Sequence, residues 1–245
     1  MVDSRPRAEP VVELPPAAVL RTLGAACGLD LGSFRPAHVA RTIDRAVERL
    51  HLAGPEAVAR AVRADPAVRA RLRRAIAVST SGMWRDPEQF ELLDRLLHAE
   101  GRPRRPLRVW SLGASDGSEL CSVALLLGRR DALTGAFLLG SDLLPENVAL
   151  ARERRAERLD PAAQAIVRFE QRDVTTSAPT GSWDVVLCRN VLIHLSPDAR
   201  RATLDHAVGA LAPGGLLLLG RSERLLRDGR RGLDDAGPNA YRRVA

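Results

Sequence analysis

Lysine is absent: every one of the 37 basic residues is an arginine. Aromatic residues are nearly so, at 3% of the chain, with a single tyrosine. Such scarcity removes the stacking platforms on which single-stranded nucleic acids are held, so a nucleic-acid function is disfavoured despite the charge. It also leaves the core to leucine, valine and alanine. Cys27, Cys121 and Cys188 are odd in number and far apart, which fits neither a disulfide framework nor a zinc site. No metal site is expected, and the thiols suit a reducing cytoplasm. No apolar run is long enough to span a membrane, and no signal-peptide pattern opens the chain.

What remains is a basic chain with ample material for a core. The 245 residues are 45% hydrophobic, enough for one large domain or a medium domain with a small helical partner. The net charge is +7, which favours an acidic partner. Residues 1–14 are rich in proline and charge and are expected to be a disordered tail. Residues 15–98 read as a helical domain. Pro36 opens a helix to about Leu52, Pro55 opens a second and Pro66 a third; a fourth starts near Asp86-Pro87 and carries Phe90, Leu93, Leu96 and Leu97 on one stripe. Residues 99–106 read as a linker, and 107–245 as an α/β domain. There strands are expected at 107–112, 136–141, 167–172, 183–188 and 215–220, with a closing edge strand over 239–244. Helices are expected at 118–128, 145–158 and 197–211. Such alternation implies a parallel sheet covered on both faces.

The most informative stretch runs from Arg108 to Leu144. Arg108-Val-Trp-Ser-Leu112 is followed at once by Gly113-Ala-Ser-Asp-Gly117 and an apolar helix; the next apolar run stops at Ser141-Asp142. Small residues thus meet a helix N-terminus, and a carboxylate stands at the tip of the second strand, where it can hold ribose hydroxyls. The turn lacks the G-x-G-x-x-G spacing of dinucleotide enzymes. Phe169-Glu-Gln-Arg-Asp173 closes a third strand on a polar residue that could reach an adenine amine. Trp183-Asp-Val-Val-Leu-Cys-Arg-Asn190 is a buried strand with a polar end, and Leu211-Ala-Pro-Gly-Gly215 is a turn into a fifth strand. The combination favours S-adenosylmethionine (SAM) as cofactor and a class I, Rossmann-like methyltransferase domain.

In order along the chain, Ser79-Thr-Ser-Gly-Met-Trp-Arg-Asp86, Val109 to Glu119, Cys188-Arg-Asn-Val-Leu-Ile-His194 and Gly214 to Glu223 resemble the motifs of the CheR-type chemotaxis receptor methyltransferases. The resemblance implies methyl transfer from SAM, leaving S-adenosylhomocysteine, to a glutamate side chain of a chemoreceptor. Position by position, it implies a cofactor site of Ser79, Ser81, Arg85, Gly113, Glu119, Asp142, Asp173, Val174, Arg189 and Asn190. Arg85 and Glu119 would lie at the methionine end, Asp142 at the ribose and Asp173 near the adenine. Arg85 and His194 are the candidate catalytic residues. Arg85 has a planar donor fork suited to a carboxylate, with a surface ion pair to Asp86 or Glu88 as its alternative.

Three departures accompany the resemblance. His194 stands where the family usually has tyrosine. Leu120-Cys-Ser122 replaces its "P-Y-S". Only 17 residues separate Ala151 from Phe169, and they read as helix, leaving no room for the family's small antiparallel insertion that docks a receptor peptide. An impaired SAM-binding scaffold, or an enzyme for another carboxylate acceptor, are the alternatives. Between Arg35 and Arg74 ten arginines face four acids, and Arg41, Arg45 and Arg49 line one helix face. By resemblance that ridge would meet an acidic receptor bundle; its alternative is a solvated face partly neutralised by Asp44 and Glu48. A monomer is expected.

Overall fold

Proline sets where most of the helices begin. The computed structural model describes residues 13–79, 81–98, 106–225 and 232–244, and seven of the nine helices there start on a proline. A proline at the first helical position loses nothing, because its missing N–H has no acceptor in the first turn. The expected tail and linker fall largely outside the described residues.

Two compact units divide at Ile76 and Ala77. The first holds α1 (Ala17–Cys27), α2 (Pro36–Arg49), α3 (Pro55–Ala64) and α4 (Pro66–Ile76). Leu23, Ile43, Val58, Val62 and Ile76 are fully buried among them. On α2 the buried side chains are Val39, Ala40, Thr42 and Ile43, which leaves Arg41, Arg45 and Arg49 exposed. Gly28 ends α1 in the left-handed conformation at φ 62°.

The second unit begins before α5 (Pro87–His98), so the helix that the sequence pattern groups with the helical domain belongs with the sheet. Its buried Phe90, Leu92 and Leu93 join the core around α6 (Ser118–Gly128), α7 (Pro145–Arg158) and α8 (Pro161–Ile166). The strands are β1 (Arg108–Leu112), β2 (Phe137–Asp142), β3 (Val167–Gln171), β4 (Trp183–Cys188), β5 (Leu211–Leu219), β6 (Leu233–Gly237) and β7 (Ala240–Arg243). They form one sheet in the order β3-β2-β1-β4-β5-β7-β6. The first five strands run parallel, and β7 is antiparallel to both neighbours.

Successive residues point to opposite faces, so Val109, Val185, Leu216 and Leu218 enter the core under α5–α8. Trp110, Val186, Leu217 and Leu219 enter a second core with Trp183, Tyr241 and α9 (Pro197–Ala210). Three of the few aromatic side chains thus thicken the face that carries a single long helix. The final strand differs from expectation: β7 is internal, and β6 is the edge. Leu233-Asp-Asp-Ala-Gly237 does not read as a strand, but its charge suits an edge that must not pair with another chain. The expected turn at 211–215 lies inside β5 as a register shift against β4, with Gly214 at φ 75°.

Between α7 and β3 the chain is helix, as its composition suggests, with no inserted antiparallel strands. All three cysteines are free and buried, and burial raises each thiol above its ordinary range. That makes them poor nucleophiles.

Candidate functional site

The strand order reverses between β1 and β4, and a parallel sheet leaves its ligand crevice beyond the carboxyl ends of strands at such a switch. Here those ends are Gly113 after β1 and Arg189-Asn190 after β4. Gly113 has φ 66°, and a Cβ on it would come within 2.7 Å of Val191 Cγ2. The two loops are therefore as close as glycine permits. Behind them Phe169 packs under Gly117 and Gly140, where added Cβ atoms would approach its ring to 2.7 and 2.6 Å.

Asp142 ends β2 and is 7% exposed. Its Oδ2 accepts the Ser115 N–H at 2.8 Å; its Oδ1 accepts the Leu144 N–H at 2.9 Å and Asn147 Nδ2 at 3.0 Å. Burial pushes its carboxyl up, and those three donors pull it back. Bonding the Leu144 N–H at the start of α7 and holding a ligand are compatible roles. Of about four lone-pair positions three are used, and the remaining one is on Oδ2. Asn147 also donates to Ser79 Oγ at 2.9 Å, which ties Ser79 to Asp142.

That loop carries Ser79, Ser81 and Arg85. Val78, Trp84 and Asp86 all have left-handed backbone, at φ 49°, 55° and 55°. Non-glycine residues hold this conformation only where neighbours impose it. Trp84 N–H donates to Ser122 Oγ at 3.0 Å, and Ser81 bonds to Asp116. Arg85 is exposed at the tip. Nearby, Asp86 pairs with Arg189 at 3.2 Å and Glu88 with Arg221 at 3.8 Å.

Arg189 and Glu119 meet each other. Arg189 Nη1 donates to Glu119 Oε2 at 2.8 Å, Nε to Gln89 Oε1 at 2.6 Å, and Nη2 to the Arg85 carbonyl at 2.5 Å. Its guanidinium also lies 5.0 Å over the Phe90 ring. The other Glu119 oxygen accepts Ser111 Oγ at 2.8 Å. One buried cation therefore joins the end of β4, the start of α5 and α6, and the backbone beneath Arg85.

Glu223 performs the same service opposite. It is fully buried; Oε2 accepts the N–H groups of Asn190 at 2.6 Å and Gly220 at 2.8 Å, and Oε1 that of Ile193 at 3.2 Å. Burial raises its carboxyl, opposed by these amides and that of Leu192. It holds Asn190 at φ 60° and the 3₁₀ turn Leu192–His194, on which His194 sits half-buried. Beyond β3, Asp173 Oδ1 accepts Thr175 N–H at 2.9 Å and Thr175 Oγ1 at 2.6 Å; among the described residues its Oδ2 takes no hydrogen bond. Val174 is buried in the core on the α9 face.

Asp116 is the residue that the sequence reading passed over. It accepts Ser118 N–H at 3.1 Å and Ser118 Oγ at 2.7 Å, and pairs with Arg154 and Arg158 of α7. Burial alone would raise its carboxyl; hydrogen bonds from Ser118, Ser81 and Arg158 outweigh this and bring it down to about 2. Arg154 and Arg158 are four apart on one helix face, so both reach the same acid, a pairing that no local sequence signal announces. A carboxyl lowered on folding stabilises the protein above its unfolded pKa, and loses that contribution as pH falls through the folded value. Asp116 is therefore expected to contribute about 2 kcal/mol that disappears between about pH 4 and pH 2. Acid titration of the Asp116→Asn variant checks this: its stability should fall less steeply over that window than the wild type's. Parallel curves would refute the assignment.

The donors and acceptors fit an adenosyl cofactor: a buried acid with an open lone pair at β2, a second acceptor beyond β3, and a glycine turn after β1 that bonds to the first acid. A parallel sheet with this order and site defines a class I SAM-dependent methyltransferase. Residues 151–233 match the SAM binding domain of the CheR methyltransferases. Chemotaxis protein methyltransferase 1 of Pseudomonas aeruginosa is 30% identical over 240 residues, spanning 81% of this chain and 86% of the relative. The chemotaxis protein methyltransferase of Vibrio parahaemolyticus is 29% identical over 239 residues, spanning 84% and 87%. A probable biofilm formation methyltransferase, WspC of Pseudomonas putida, is 31% identical over 202 residues, spanning 69% of this chain and 48% of its own. The chain belongs to the CheR family of chemotaxis methyltransferases.

Proposed function

We propose that the chain methylates glutamate side chains of a chemoreceptor-like protein, using the crevice between β1 and β4. The observation that carries this reading is Asp142, buried at the β2 tip with a lone pair left for a ribose hydroxyl. SAM supplies an electrophilic methyl on a positively charged sulfur. A glutamate has a pKa of about 4.3, so the acceptor is already an anion at neutral pH and needs no base. The protein's task is to hold, align and keep water out.

Asp142 takes the ribose and Asp173 the adenine amine. Ser79 and Ser81 bring the 77–86 loop to the cofactor, and Arg85 at its tip orients the incoming carboxylate through its donor fork. Gly113 and Asn190 present backbone at the methionine end. Glu119 and Arg189 act there by holding the loop that carries Arg85. His194 lines the acceptor side. The exposed Arg41, Arg45 and Arg49 steer an acidic receptor toward the enzyme.

No helix among the described residues is long and apolar enough to cross a membrane. We read the chain as a monomer in the cytoplasm, where it would meet the receptor's inner domain.

The test is transfer of tritiated methyl from SAM to a purified receptor cytoplasmic fragment. The expected product is a base-labile methyl ester on the receptor that is lost with Arg85→Ala. Tight S-adenosylhomocysteine binding with no labelling of any carboxylate protein would replace this reading with the scaffold one.

A further inference from the structure

A second basic site lies on the edge of the sheet. Beside the outer strand β3, a depression of about 540 Å³ is lined by Arg152 and Arg155 of α7, Gln164 of α8, and Arg168 and Phe169 of β3. Among the described residues the three arginines bond only to main-chain carbonyls. Arg152 Nη2 donates to Phe169 O at 2.8 Å, Arg155 Nη1 to Val167 O at 2.7 Å, and Arg168 Nη1 to Val167 O at 2.9 Å and Gln164 O at 3.3 Å. Among the described residues none of the three makes an ion pair with a carboxylate, and no acid lines the depression. Glu153 and Glu157, on the same helix, lie outside its lining. Arg155 keeps a buried Nε–H that no acceptor meets.

Carbonyl bonding neutralises no charge, so three full cations remain around one concavity. Guanidiniums that bond backbone through a single terminal nitrogen still present further N–H groups suited to carboxylate oxygens. We propose that this depression docks an acidic, carboxylate-rich stretch of the protein substrate, separate from the crevice that holds the cofactor. The proposal rests on the protein-carboxylate reading above, since a receptor segment rich in glutamates brings further carboxylates beside the one being methylated. A nucleic acid is the less suited occupant: Phe169 is the sole aromatic lining residue and is 5% exposed, so no ring is offered for base stacking.

The experiment uses the full chain and the double variant Arg152→Gln/Arg168→Gln, which keeps amide donors for the backbone and removes two charges. Three titrations are compared: a fluorescein-labelled poly-glutamate peptide, a labelled oligothymidylate, and S-adenosylhomocysteine. Peptide binding should weaken about tenfold in the variant, as expected for two partly exposed charge contacts. S-adenosylhomocysteine affinity should not change, which also reports that the variant is folded. In methylation assays KM for the receptor fragment should rise with kcat unchanged. Equal peptide affinity in the two proteins, no peptide binding by the wild type, or a loss confined to oligothymidylate would each overturn the proposal. A wild type that binds the peptide but methylates no receptor would instead remove the proposed function and leave the docking site standing. Should the double variant lose cofactor affinity, Arg168→Glu alone, at an exposed position of the edge strand, takes its place.

Discussion

Asp142→Ala is expected to weaken S-adenosylhomocysteine binding about 100-fold in a calorimetric titration. A hydrogen bond to a charged group contributes about 1.5–3 kcal/mol, and about 2.7 kcal/mol corresponds to a hundredfold. The variant loses more than the proposed ribose contact. The same carboxylate fixes the Ser115 N–H of the glycine turn, the Leu144 N–H at the start of α7, and Asn147, which in turn reaches Ser79. Asp142→Asn should bind nearly as poorly. Whichever way its amide is turned, an NH₂ group faces a backbone N–H, that of Ser115 or that of Leu144. An asparagine variant that binds like the wild type would show that the charge and both acceptor oxygens are dispensable, and the cofactor would then have to lie elsewhere.

Arg189→Met should lower stability by about 3–5 kcal/mol, because breaking a buried pair strands the remaining charge. For a chain of this size that corresponds to a fall in Tm of roughly 10 °C. Glu119 would lose its cation, and Gln89, Asp86 and the Arg85 carbonyl would lose a donor. The 77–86 loop would lose its anchor, so cofactor affinity should fall as well. Adding Glu119→Gln to Arg189→Met should recover part of the stability, since it removes the stranded charge. A loss below about 1 kcal/mol in thermal unfolding, with no recovery in the double variant, would place Arg189 among ordinary surface ion pairs.

Much of this arrangement is written locally. Pro145 and Pro197 fix helix starts within one residue of where they were expected. Gly113 to Gly117 marks a turn that only small residues can make, and the apolar run ending at Asp142 marks a strand tip. These signals survive folding because backbone stereochemistry and side-chain period act over a few residues. The edge strand β6 was not legible in that way. Asp234-Asp235 carries no strand preference of its own, and the strand exists because β7 completes it.

The site divides along the same line. The sequence by itself determined which segments end at the carboxyl edge of the sheet, because strand ends in a parallel sheet face one way. It also determined the absence of an insertion before β3, from the count of residues available. Only the tertiary structure decided that Arg189 and Glu119 neutralise each other, that Glu223 holds Asn190, and that Asp116 gathers two arginines of α7. Those partners stand 70, 33, and 38 and 42 residues apart in the chain. A charged side chain's role depends on what is buried against it, and that is set by packing across the whole sheet.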